Sequence, residues 1–352
     1  MTRVLFVARN RYRVPLSPSL RLKWDALARV FDVRVAAASS DGSRGDDTFR
    51  LRPRTALDGP RFWLSLPTRI RRESREFHAD AIVAQSPFEA AAALLARTGV
   101  PVIVELHGDW RTFGRLYGSG ARRAIARAAD GVGTWAVKRA AKVRAVSPYT
   151  ARLARDAGRE PDAVFPAFMD LELFAAPPAP LPDATIALFI GVLEPYKNID
   201  GLAAAWRIAR PDGELRIVGK GTRSDVVASL VRDGLATWQP ELSTAEVVRA
   251  LDEASILLLP SRSEGMGRVV IEAQLRGRPV LGSNVGGIPD LVTDGIDGVL
   301  TDPAPQRLAE ALQVLNDRPE LARLAGNARA AGERWLASPE DYAARMQELV
   351  ES

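Results

Sequence analysis

The chain has 352 residues, 47% hydrophobic and 26% charged, with a net charge of +5; that is the balance of a globular protein with length for two domains. It has no cysteine, which excludes disulfides, thiolate chemistry and Cys-ligated zinc. With only two histidines, His78 and His107, a histidine-rich metal site is excluded too.

From the N-terminus, apolar runs of strand length recur. The first half holds them at 4–8 (VLFVA), 33–38 (VRVAAA), 81–85 (AIVAQ), 101–106 (PVIVEL) and 142–147 (KVRAVS). The second half holds them at 185–191 (TIALFIG), 214–219 (ELRIVG), 254–261 (ASILLLPS) and 279–283 (PVLGS). Such continuous runs read as strands covered on both faces. Stretches with helical spacing lie between them, at 20–30, 226–232, 245–251 and 268–276. The alternation predicts an α/β protein with mostly parallel sheets. The polar, charged segment 39–60 reads as a surface loop. FAAPPAPLP, at 174–182, packs four prolines into six residues and reads as a stiff linker. It divides the chain into a domain over 1–174 and another over 183–338. The stretch 319–351 is helical with a break at Ser338-Pro339, which sets off a terminal helix over 339–352. No internal repeat of fixed period is visible.

In open α/β sheets, ligands bind beyond the carboxyl ends of strands. Those ends carry His107-Gly108, then Gly191 leading to Lys197, then Gly219-Lys220-Gly221. A further strand ends at Pro260-Ser261 and leads to Glu264, Gly265, Met266 and Gly267. Glycines ahead of a helix offer backbone N–H groups to an anionic or polyhydroxyl ligand. Glu264 precedes that helix and Glu272 lies eight residues on, inside it. Two carboxylates in such a setting suit the vicinal hydroxyls of a sugar or ribose. Taken singly, each glutamate reads better as an ordinary surface residue.

The stretch LLLPSRSEGMGRVVIEAQLRGRPVLGSNVGGIPDLVTDGIDGVL closely resembles the signature region of the family-four (group 1) retaining glycosyltransferases of GT-B fold. The resemblance extends more loosely over 181–335, and into the first half through ELHG and AVSPYT. It implies two facing Rossmann-like domains, the first for the acceptor and the second for a nucleotide-sugar donor. The terminal helix would cross back to the first. It also implies a hexosyl transfer to an acceptor hydroxyl with retention, without metal and with no cofactor beyond a UDP- or GDP-hexose donor. Glu264 would contact the transferred sugar and Glu272 the ribose hydroxyls. Gly265, Met266 and Gly267 would offer backbone N–H groups, and Lys197 would grip the diphosphate. Gly191, Gly219, Lys220 and Gly221 would line the donor site, with base contacts near 219–221 and 237–240. His107 would face the donor sugar; a buried structural histidine is the alternative. Asp109 reads as a helix cap and no carboxylate is assigned as nucleophile.

Two positions depart from that pattern. Members usually carry an arginine where this chain has Val192, and a glycine-rich loop where it has ARNRYRVPLSPS. Lys220, Arg9, Arg11 or Arg13 would have to supply the missing charge; alternatively Arg11 and Arg13 bind the acceptor or face water.

Residues 1–180 carry a charge of +12 and the remainder −7, which suggests an anionic partner for the first half. Aromatic residues beside arginines in 61–77 (Phe62, Trp63, Leu64 and Leu66 with Arg69, Arg71, Arg72 and Arg75) read as a face for an anionic membrane. Basic residues from Arg122 and Arg123 to Arg144 add to it, and lipid-linked or sugar acceptors of the cell envelope would fit. The opposing reading is core-facing apolar residues and solvated arginines. No nucleic-acid module is visible. No run reaches the roughly 18–20 apolar residues of a membrane span, and MTRVLFVARNRYR lacks a signal-peptide core, so a cytoplasmic protein is expected; 43 arginines against 5 lysines read as the coding bias of a high-GC bacterium. The remaining alternatives are a sugar-nucleotide epimerase of the same fold, an exported two-domain binding protein, and a degenerate transferase that binds without turning over.

Overall fold

The computed structural model describes residues 1–53, 58–112 and 120–352, with side chains omitted at 58–61 and 120–125. The chain forms two compact units. One contains Met1–Phe168 with Ala337–Ser352, and the other is Met169–Leu336. The boundary thus falls ahead of the proline-rich segment, and residues 174–182 belong wholly to the second unit.

In the first unit, strands β1 (Thr2–Tyr12), β2 (Phe31–Ser39), β3 (Phe49–Arg52), β4 (Ala81–Ala84), β5 (Val102–Leu106), β6 (Lys142–Ala145) and β7 (Ala163–Val164) form one parallel sheet. Their order is β3-β2-β1-β4-β5-β6-β7. Alternate residues of each strand serve opposite faces. Leu5, Val7, Ile82 and Val104 pack with Leu66 and Ile70 of helix Asp58–Phe77, and with helices Pro87–Ala96 and Gly120–Arg139. Val4, Phe6, Val83 and Ile103 pack with Trp24 and Leu27 of helix Pro18–Val30. The helix Pro339–Glu351 joins that second face through Tyr342, Met346 and Leu349. Each such buried side chain contributes about 1.5–3 kcal/mol. Ser338 starts this helix with a capping box to Asp341, so the chain turns sharply there.

The second unit repeats the winding. Strands β8 (Ile186–Ile190), β9 (Glu214–Val218), β10 (Thr237–Gln239), β11 (Ile256–Leu259), β12 (Val280–Ser283) and β13 (Gly298–Thr301) are all parallel, in the order β10-β9-β8-β11-β12-β13. Phe189, Ile217 and Leu258 face helix Ile199–Ala209 on one side. Leu188, Leu257 and Leu259 face helix Arg268–Leu275 on the other. In both sheets the order reverses between the first and fourth strands, so each has a crevice at that switch point.

The segment 39–60 is not simply a surface loop, as its composition suggested. Its described part contains β3, and the helix Asp58–Phe77 begins within it. The sequence FRLR alternates buried and half-buried residues. An edge strand covered on one face lacks the continuous apolar run that marks interior strands.

Candidate donor site and the carboxylate beneath His107

The carboxyl ends of β8, β9 and β11 bring most of the expected site residues of the second unit together. Gly191 follows β8 and its N–H donates to Val218 O at 3.0 Å. Gly219 follows β9 with φ +147, and a Cβ there would stand 1.9 Å from Gly191 O. Only glycine allows those two strand ends to approach so closely. Lys220 O accepts from Leu193 N at 3.1 Å, which ties the loop after β9 to the loop after β8. Gly221 lies against the same residue: a Cβ there would be 2.5 Å from Leu193 O.

Lys197 ends a short turn of 3₁₀ helix, Pro195–Lys197, and is 8% exposed. Its Nζ lies 2.5 Å from Glu264 Oε2. The backbone supports this meeting, since Arg262 N donates to Tyr196 O at 2.7 Å. Glu264 is held from the other side by Gly287 N, which donates to Glu264 O at 2.8 Å. Gly265 packs on Gly287 so closely that a Cβ on the latter would be 2.2 Å from Gly265 O. Met266 packs partly against the core, and Gly267 starts the helix Arg268–Leu275.

Glu272 lies within that helix and is buried. Burial pushes its carboxyl above the ordinary range, while Arg268, donating from Nε at 2.6 Å, pulls the other way. Arg268 also donates to Asp170 O at 2.9 Å. Sequence reasoning passed over Arg268. The signal was present, because a basic residue four positions before a helical glutamate is a side-chain pair.

The positions around the departures are distinct. Val192 is 47% exposed, beside Gly191. Lys220 Nζ meets Glu241 Oε2 at 2.6 Å on the exposed surface. Arg13 pairs with Asp41 at 3.6 Å, and Arg9 stacks 5.7 Å above the Trp63 ring. The second unit also holds a cavity of about 420 Å³, lined by Val218, Trp238, Gln239, Leu242 and Arg249 among others. Trp238 Nε1 donates to Gly219 O at 2.9 Å, so this cavity adjoins the glycine turn after β9.

In the first unit, His107 follows β5 and is exposed, with Nε2 3.4 Å from Glu105 Oε2. Asp109 accepts from Arg111 N at 3.0 Å and Arg111 Nε at 2.9 Å. His78 is exposed at a helix end with φ +53. In helix Asp58–Phe77, Phe62, Leu66 and Ile70 are spent on the core. Arg69 donates to Ala37 O and Arg50 O, and Arg71 to Ala96 O. Leu64 is 81% exposed. The side chains of Arg122 and Arg123 lie outside the described residues. Among the described residues, no helix is long and apolar enough to cross a membrane.

Two parallel, doubly wound sheets in one chain fit the GT-B architecture, which glycosyltransferases share with proteins of other activities. The chain belongs to the group 1 glycosyltransferases: a family model described as "Glycosyl transferases group 1" matches residues 174–331, and one described as "Glycosyltransferase Family 4" matches residues 24–173. Among curated proteins it is similar to a D-inositol 3-phosphate glycosyltransferase of Segniliparus rotundus, with 36% identity over 165 residues. That match covers 43% of this chain and 36% of the relative, so it spans little more than a third of the relative's length. Among solved structures it is similar to a sucrose-phosphate synthase from Thermosynechococcus elongatus, with TM-score 0.79 and 19% identity over 100% of this chain and 98% of that one. It is also similar to Anabaena HepE in complex with UDP, with TM-score 0.73 and 19% identity over 99% of this chain and 100% of that one.

Proposed function

We propose that this glycosyltransferase moves a hexosyl unit from a nucleotide-diphosphate sugar to an acceptor hydroxyl, with retention at the anomeric carbon and without a metal. The observation that carries the reading is the meeting of Lys197 and Glu264 at the β8–β11 switch point. A buried lysine there can neutralise the charge that develops on a leaving diphosphate, and fixed charges of this kind are usually the main source of rate enhancement. Glu264 can accept from sugar hydroxyls, and Glu272 from the ribose, while N–H groups around Gly265, Met266 and Gly267 face the ligand. The base fits the glycine turn at Gly219, Lys220 and Gly221, beside Trp238. In the first unit, His107 is the residue to hydrogen-bond a sugar hydroxyl.

HepE, a neighbour in fold, was solved with UDP, which puts uridine donors first in the search. Several relatives bear the name D-inositol 3-phosphate glycosyltransferase, so inositol phosphates join sugars and lipid-linked sugars in the acceptor panel. A role in bacterial glycolipid or polysaccharide synthesis, in the cytoplasm, accords with those acceptors. Contact with an anionic membrane would rest on Leu64, Arg72 and Arg75. A liposome pull-down that shows no dependence on anionic lipid removes that part.

The deciding experiment is nucleotide release from UDP-, GDP- and ADP-hexoses, with and without EDTA. Lys197→Ala and Glu264→Ala serve as controls, checked for folding by circular dichroism. Release from one donor, insensitive to EDTA and lost in folded controls, supports the reading. A second reading, a degenerate transferase that only binds, is favoured by Val192 standing where the family's arginine is usual. Absence of release with every acceptor, combined with tight nucleotide binding, would select it.

A further inference from the structure

The first unit contains a buried charge network that the donor site does not use. Glu105 on β5 and Arg144 on β6 are direct cross-strand partners. Both side chains are almost fully buried and the Arg144 Nη1 donates to Glu105 Oε1. The second terminal nitrogen is committed as well, while the buried Nε finds no hydrogen-bond partner among the described residues. Arg144 Nη2 donates to Phe165 O at 3.2 Å and Pro166 O at 2.6 Å. Its Cζ lies 4.1 Å from the Phe165 ring centre and 5.3 Å from that of Tyr342, on the terminal helix. Arg144 therefore cannot follow Glu105 if the carboxylate moves. A guanidinium buried this fully also demands an ionised partner. Burial pushes the Glu105 carboxyl up, but Arg144, with His107 second, outweighs it and holds the group below the usual range.

An ionised carboxylate only accepts hydrogen bonds. With Oε1 taken by Arg144, Oε2 is what His107 Nε2 meets at 3.4 Å. A bare imidazole lone pair facing that oxygen would be repelled, so this nitrogen carries a proton. The imidazole is two-fifths exposed, so part of the ring is open to a ligand. We propose that Glu105, locked by Arg144, is a positioning residue that fixes His107 as its Nε2–H tautomer, so that Nδ1 is presented as an acceptor to a substrate hydroxyl. Glu105 thus sets both the direction of the ring and the polarity of the atom it offers. Specificity follows, because an Nδ1 acceptor selects a hydroxyl donor and rejects an ether or carbonyl oxygen at the same place.

The substrate clause rests on the proposed function; the tautomer does not, and it is read without substrate. With two histidines in the chain, ¹⁵N-histidine labelling gives two ring systems, and His107→Gln assigns them. At a pH where the rings are neutral, wild-type His107 is expected to show a protonated Nε2, a bare Nδ1 and slow exchange of the ring N–H. An Nδ1–H ring, or rapid interconversion of tautomers, would overturn the proposal.

Glu105→Asp keeps the charge that Arg144 needs and shortens the reach. Its expected effects are interconverting tautomers at His107 and a kcat lowered about 10-fold, the scale on which carboxylate partners of metal-bound histidines act. UDP or GDP affinity should not change, because those contacts lie in the second unit. An unchanged tautomer with unchanged kcat would sink the idea. Loss of nucleotide affinity in Lys197→Ala, with the His107 tautomer intact, keeps this test separate from that of the donor site.

Discussion

Lys197 Nζ stands 2.5 Å from Glu264 Oε2, and both side chains are largely buried. Neither charge is independent of the other. Removing one partner leaves a buried charge uncompensated, which costs about 3–5 kcal/mol. Lys197→Met and Glu264→Gln are each expected to destabilise the second unit on that scale. The double variant should cost clearly less than the sum, as read by urea unfolding. Additive losses would show that the two charges do not compensate each other.

Val192 occupies an exposed position beside Gly191. If the diphosphate is bound there by Lys197 alone, an added guanidinium has a phosphate to reach. Val192→Arg is then expected to tighten nucleoside-diphosphate binding by roughly 10-fold, from one charge-assisted hydrogen bond of about 1.5–3 kcal/mol. Isothermal titration with UDP and GDP checks it. An unchanged affinity at low salt would mean that the phosphates lie elsewhere.

Glu272 is buried and pairs with Arg268, which itself reaches solvent. Glu272→Gln removes one ribose acceptor without changing shape. Donor affinity should fall about 10-fold, within the range for a hydrogen bond to a charged group. A fall in kcat with KM unchanged would instead place Glu272 at the reacting bond.

Glu89 sits in the first turn of helix Pro87–Ala96, under Ser86, whose hydroxyl donates to it. Burial, opposed by Ser86 and Arg9, raises its carboxyl above the ordinary 4.5. Between 4.5 and that raised value the folded chain holds a proton that the unfolded chain has lost. Stability therefore falls as pH rises through this window. Glu89→Gln should remove the decline and stabilise the first unit at neutral pH. Thermal melts from pH 4 to 8 (about the range where carboxylates and histidine titrate) test the sign.

Gly286 has φ +60, and a Cβ there would stand 2.3 Å from Glu264 O. Gly286→Ala meets both strain and a clash with backbone, so it should cost more than about 1 kcal/mol. Because the clash falls on Glu264, donor turnover should fall even below the melting transition. Full activity in a folded Gly286→Ala protein would show that the Glu264 loop shifts freely.

The interior strands were legible because they are buried on both sides. The run VLFVA lies within β1, and ILLL is β11. The edges were less so: FRLR and TWQ, at β3 and β10, carry alternate polar residues because one face meets little of the core. The shared winding of the two sheets was invisible as a repeat, since strand order leaves no fixed period in sequence. At the donor site, small and charged residues at strand ends marked Gly191, Lys197, Gly219 and Glu264. What they touch was not readable, for Lys197 and Glu264 are 67 residues apart. The Arg144–Glu105 network was hidden for another reason. In KVRA and PVIVEL a charged residue inside an apolar run looks like a surface position until its cross-strand partner is known.

The helix Pro339–Glu351 fills the first unit's core, yet it follows the whole second unit along the chain. Domains form as units while synthesis proceeds from the N-terminus. A nascent chain that has emerged as far as Leu336 has every residue of the second unit but lacks Tyr342, Met346 and Leu349 of the first. The half made first is thus completed last. In ribosome-arrested chains of increasing length, protease resistance should appear in residues 169–336 before it appears in residues 1–168.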